Sequence, residues 1–130
     1  MPHPNEQLLR RFYEHFTAGD LDTMARSFDD DVVFHEPGRH PLAGTHRGAS
    51  AILDFFRRIV EKTEGTLELT EVSPIVANDD SGAARLRLTA RTTAGPIEVE
   101  AVELYTFRAG RISEIRAYLH DQYAWDQLLS

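Results

Sequence analysis

Two carboxylates fall on otherwise apolar strand faces, and a third stands directly before a proline. In the stretch IEVEAVELYTF, residues Ile97, Val99, Ala101, Glu103, Tyr105 and Phe107 occupy alternate positions, and a strand sends alternate side chains to one face. Glu103 therefore points where its apolar neighbours point. By the same count Ile115, Ala117, Leu119 and Asp121 share a face in the next strand. Glu36 closes the short run VVFHE directly before Pro37. A buried carboxyl either finds a partner or is pushed toward its neutral form, in which it can donate a proton. As a neutral acid in an apolar pocket, Glu103 would stabilise a developing enolate oxygen; the alternative is a structural ion pair with Arg91 or Arg116. Asp121 or Glu36 would take a proton from the carbon next to a carbonyl and return it. The plainer alternatives are that Asp121 caps the segment starting at Gln122 and that Glu36 is an exposed loop acid.

The histidines are His3, His15, His35, His40, His46 and His120, and no two have the His-x-His or HExxH spacing of a metal site. No metal or cofactor is expected. His40 and His46 lie in a polar, glycine-containing loop between Gly38 and Arg47, where they would meet a polar group of a ligand at a pocket mouth. With no cysteine in the chain, thiolate catalysis, disulfides and Cys-containing metal sites drop out.

The elements that must position these residues follow from periodicity. Leu8, Leu9, Phe12 and Phe16 have helical spacing after Pro4, with Asn5 as a cap and Ala18-Gly19 as a stop. Asp20 caps a short second helix carrying Leu21, Met24, Ala25 and Phe28, ended by Asp29-Asp30-Asp31. Gly48 opens a third helix with Ile52, Phe55, Phe56, Ile59 and Val60 on one face. From Thr66 onward the period becomes alternating, and short turns at 78–82, 94–96 and 109–110 divide four long antiparallel strands. The apolar phase slips between Leu69 and Val72, which predicts a bulge or bend.

Helices first and a meander afterwards predict one α+β domain over residues 1–130, with three helices packed on one face of a curved sheet. Such a cone holds ligands. Phe12, Phe16, Phe55, Leu86, Leu88 and Ala90 are its predicted lining. Tyr105, Ile115, Ala117 and Leu119 complete it. Tyr123 and Trp125 either fold over the opening or extend an interface. The outer sheet face, with Val102, Leu104, Arg85 and Arg87, is mixed enough to pair two copies.

A net charge of -7 without a basic cluster excludes a nucleic-acid surface. No apolar run approaches the ~18 residues of a membrane span, and no apolar leader follows the N-terminus, so a cytoplasmic location is expected.

The order FYEHFTAGDLDTMARSFDDDVVFHEP, GTHRGASAILDFFRRI and the closing RISEIRAYLHD resembles the NTF2-like superfamily, and within it the SnoaL-like polyketide cyclases and the ketosteroid isomerases. The resemblance implies a cone-shaped, cystatin-like α+β barrel with a mainly antiparallel sheet. It also implies that Glu36 stands at the position of the isomerase base and Glu103 at that of the protonated oxyanion-hole acid. The tyrosine beside that acid falls on Phe12, which has no hydroxyl; Tyr13 and Tyr105 are the nearest substitutes. SnoaL-like cyclases place an essential Asp at the end of the last strand, which implies a role for Asp121. The Arg-x-Asp of the fold's epoxide hydrolases is absent from this chain.

The expected function is cofactor-independent isomerase or cyclase chemistry, an acid-base proton transfer on a small apolar carbonyl compound. A non-catalytic ligand-binding or dimerisation module of the same fold is the alternative. Phe12 argues against a true ketosteroid isomerase.

Overall fold

The computed structural model describes residues 2–130. Helix α1 spans Pro4–Thr17, followed by α2 (Leu21–Met24), a 3-10 turn (Ala25–Ser27), strands β1 (Phe28–Glu36) and β2 (Gly44–Arg47), and α3 (Ala49–Lys62). Strands β3 (Glu68–Ala77), β4 (Ser81–Thr92), β5 (Gly95–Arg108) and β6 (Arg111–Leu119) come next, and α4 (Gln122–Leu129) closes the chain. All strands join one sheet in the order β2-β1-β6-β5-β4-β3. The predicted meander β3–β6 is antiparallel throughout, β1 pairs antiparallel with β2, and β1 runs parallel to β6.

Pro4 occupies the first turn of α1, where its missing N–H costs nothing. His3 rather than Asn5 is the cap, its Nδ1 accepting the Asn5 N–H at 3.0 Å. Asn5 is instead buried and donates to the Asn78 carbonyl at 3.0 Å, tying the helix to the β3–β4 turn. Leu9, Phe12 and Tyr13 continue the buried face. Gly19, at φ 74°, ends the segment as expected.

Three further expectations are corrected. Asp29, Asp30 and Asp31 do not end the second helix but lie within β1, where Arg108 and Arg111 approach Asp29 and Asp30 at 3.6 and 4.0 Å. The Gly38–Arg47 stretch is not all loop, because 44–47 pairs with 33–36 as β2. The tail is a fourth helix, capped by Asp121.

The alternation that marked Glu103 holds along β5. Val99, Ala101, Glu103, Tyr105 and Phe107 are buried, whereas Val102 and Leu104 face out. Strand β1 follows the same rule with Phe28, Val32, Phe34 and Glu36 inside. The phase slip in β3 appears as register shifts against β4 between Leu69 and Glu71 and between Val72 and Ile75. Such irregularities bend a strand and raise its twist, and they curl the sheet around α1 and α3. Among the described residues no helix is long and apolar enough to cross a membrane.

Candidate active site

Glu103 has small neighbours on both flanking strands, Ala84 on β4 and Ala117 on β6. That leaves room beside its carboxyl, and α1 fills part of it with Tyr13. The Tyr13 hydroxyl donates to Glu103 Oε1 at 2.7 Å and the Tyr105 hydroxyl donates to the same oxygen at 3.0 Å. The two hydroxyls also touch each other. Burial drives the Glu103 pKa up; the two tyrosine donors pull against it, and the charge of Glu36 adds to the rise. Burial, then the nearby Glu103, hold both tyrosine hydroxyls well above their ordinary range, so they stay protonated as donors. With Oε1 saturated by two donors, a proton on the Glu103 carboxyl belongs on Oε2.

Glu36, at the end of β1, is held differently. Its Oε2 accepts the indole N–H of Trp125 at 2.7 Å and the Nε2–H of His40 at 2.8 Å. His40 is fully buried, and its Nδ1 accepts the Leu42 N–H at 3.1 Å. That backbone bond fixes the tautomer, since a ring nitrogen that accepts cannot carry the proton. The loop presenting His40 is clamped by α4. Asp126 Oδ1 accepts the Arg39 N–H at 3.1 Å and the Gln122 side-chain N–H at 2.9 Å. Gly38, at φ 105°, permits this approach, because a Cβ there would sit 2.2 Å from Asp126 Oδ1.

Both acids line one cavity of about 70 Å³ whose remaining wall is almost entirely apolar. Glu36 Oε1 and Glu103 Oε2 have no protein partner. Neither is sealed off, because the one buried side-chain atom without a partner among the described residues is Arg87 Nε. Each acid therefore keeps one oxygen free for the cavity. Neither Arg91 nor Arg116 pairs with Glu103; two hydroxyls compensate its burial instead.

Of the sequence-predicted lining, Phe12, Phe16, Phe55, Leu86, Leu88, Ala117 and Leu119 form cavity wall. Ala90 and Ile115 are buried elsewhere in the core, and Tyr105 stands behind Glu103 rather than at the wall. His40 is likewise set behind its acid. His46 does not reach the cavity: its ring packs on Phe55 at 4.7 Å and its Nε2–H donates to the Leu42 carbonyl at 2.9 Å. Asp121 is exposed and accepts the Ala124 N–H at 3.0 Å as the α4 cap. Its predicted parity with Leu119 fails because β6 ends at Leu119, and alternation has no meaning beyond the strand.

Tyr13 and Trp125 are the functional groups that pattern reading undervalued. Tyr13 does repeat the spacing of Asn5 and Leu9, and it supplies the hydroxyl that Phe12 lacks. Phe12 instead packs edge-on against Tyr13 and Tyr105, with centroids 5.4 and 6.1 Å away. Trp125 is buried in the wall, while Tyr123 is 74% exposed.

Comparison with known proteins agrees with this architecture. The SnoaL-like domain family matches residues 9–115. An uncharacterized protein of Mycobacterium tuberculosis is 28% identical over 114 residues, covering 88% of this chain and 87% of its own length. Bal32a, from a soil-derived mobile gene cassette, superposes with a TM-score of 0.90 at 31% identity, over 98% of this chain and 97% of its own. A Xanthomonas campestris protein proposed to be a polyketide cyclase shares the fold, with a TM-score of 0.76 at 20% identity over 98% and 97% of the two chains.

Proposed function

Because the chain belongs to the SnoaL-like domain family, we propose that it is a cofactor-independent enzyme of the isomerase or cyclase type, moving a proton on a small apolar carbonyl compound. Glu36 is the base and Glu103 the neutral acid. The observation that carries this reading is the pairing of two unlike carboxyls on one largely apolar cavity, each with one oxygen left open. Two N–H donors orient Glu36 while leaving Oε1 for the substrate proton. Burial raises the proton affinity of Glu103, and in this reading the protonated form donates from Oε2 to the carbonyl oxygen as it gains charge. Environments that push two acids apart in proton affinity divide acid from base, as in the ketosteroid isomerase that serves as the standard example. The apolar wall excludes water and holds the substrate against both groups. That the fold is shared with a proposed polyketide cyclase supports the same class of chemistry.

The proton taken by Glu36 has one exit. Trp125 and His40 are donors to Oε2 and accept nothing there, so the proton returns from Oε1 to the bound molecule. That favours an isomerisation over loss of a proton to solvent. The test is conversion of a β,γ-unsaturated cyclic ketone such as cyclohex-3-enone into its conjugated isomer, followed by ultraviolet absorbance. The purified protein should accelerate the reaction above buffer, with saturation in ketone. A rate no greater than that of an equal concentration of unrelated protein, for this ketone and its alkylated homologues, rejects proton transfer at this site.

We also propose that the outer sheet face pairs two copies of the chain. Val102, Leu104 and Tyr118 are 38, 43 and 49% exposed there, and they adjoin one another, since Val102 lies opposite Tyr118 and Leu104 opposite Arg116. Contiguous exposed apolar side chains on a sheet mark an association surface. Sedimentation velocity at micromolar concentration should give a dimer for the natural chain and a monomer for Leu104→Glu. A natural chain that sediments as a monomer refutes the pairing.

A further inference from the structure

The cavity is too small to hold a whole ligand. At about 70 Å³ it has room for on the order of five waters, against roughly 300–1,000 Å³ for a typical ligand site. Its deep wall is buried, but Phe16, Phe56, Leu67, Leu69 and Leu119 are half-buried and mark its opening. Three of these, Phe16, Phe56 and Leu67, also form the inner wall of a groove of about 460 Å³ between the α1–α2 corner and α3. The Phe16 and Phe56 rings meet edge to face with centroids 5.6 Å apart. Movable side chains rather than backbone thus separate the two spaces, and partly exposed rings change rotamer quickly. Beyond them the groove presents Leu21 and the 42%-exposed Val60, alongside Thr17, Arg57 and Glu61.

We propose that this groove is a second subsite for the ligand of the cavity. The small carbonyl head passes between Phe16 and Phe56 to Glu36 and Glu103, and an apolar tail stays outside against Leu21 and Val60. The inference rests on the cavity being the ligand site and specifies its substrate class: an elongated compound with a small uncharged carbonyl end and an acyl-type or polyene-type tail. The continuity of the two spaces through shared side chains supports one occupant rather than two. No lysine or arginine lines the cavity, so an anionic head would meet two acids and no cation.

Trp125, the single tryptophan of the chain, lines the cavity and reports occupancy by fluorescence quenching. The probes are methyl n-alkyl ketones from 2-butanone to 2-undecanone, each a small carbonyl end on an apolar tail. The natural chain should bind them with a Kd that falls about three- to fourfold per added methylene until the groove is filled. In Val60→Asp, and independently in Leu21→Asp, the gain per methylene should shrink to less than half. A Kd that does not change with chain length, a gain that survives in both variants, or no quenching by any ketone overturns the proposal. Binding is read without turnover. A protein that binds the series as expected but does not isomerise the enone rejects proton transfer and keeps the subsite, while turnover without a chain-length effect rejects the subsite alone.

Discussion

Glu36→Gln should lower the isomerisation rate on the enone probe by about 10²- to 10⁴-fold, the usual worth of a positioned general base. The substitution preserves volume. Its amide oxygen can still accept the Trp125 and His40 N–H groups that hold Glu36 Oε2 at 2.7 and 2.8 Å, which leaves the amide NH₂ facing the cavity where the base had been. The surrounding fold has little reason to change, so the thermal midpoint should move by only a few degrees and ketone quenching of Trp125 should persist. The loss should therefore appear in kcat rather than KM. A variant within tenfold of the natural chain would remove Glu36 from the base role.

Glu103→Gln should change the pH dependence of stability, and its sign separates a neutral acid from a held carboxylate. The folded-state pKa of Glu103 is raised, chiefly by burial. The folded chain therefore holds this proton more tightly than the unfolded chain. The resulting stabilisation is complete below the ordinary glutamate value, about 4.3, and is lost as pH rises through the folded value. Glu103→Gln, which cannot ionise, lacks that decline. Denaturant unfolding over a pH series should show the natural chain losing ground to the variant as pH increases across this window. A difference that moves the other way would mean that the tyrosines hold a charged Glu103. Truncation is harsher. Glu103→Ala removes the acceptor of the Tyr13 and Tyr105 hydroxyls, at about 1–3 kcal/mol for each buried group left unpaired. It also removes the proposed donor to the enolate, for a rate loss of about 10²- to 10³-fold. The amide of Glu103→Gln retains a donor and should fall between that variant and the natural chain.

These two acids differ in how they could be found. Glu103 was legible because a strand of fourteen residues alternates without interruption around it, and one odd member of a long apolar face is conspicuous. Glu36 was visible as the last residue before a proline, but the pattern left its burial open. Asp121 looked equivalent to Glu103 by parity and is not: the strand stops two residues earlier and the carboxylate turns to cap α4. The missing hydroxyl of Phe12 argues against a true ketosteroid isomerase when it is taken position by position. The neighbouring residue on α1 supplies it, because helix rotation against the sheet decides which side chain meets Glu103, and that rotation is set by packing.

The sequence by itself determined the α+β class, the four-strand meander, the bend in β3, and the inward aim of Glu103, because each depends on a local period of two or 3.6 residues. The tertiary structure alone decided that Tyr13 and Tyr105 share one oxygen of Glu103, that His40 and Trp125 share one oxygen of Glu36, and that the remaining oxygens open on one cavity. The Tyr13–Glu103 and Trp125–Glu36 contacts join residues 90 and 89 positions apart. No local period specifies such a pair; it exists only once α1 and α4 have docked against the same cavity-lining face of the curved sheet.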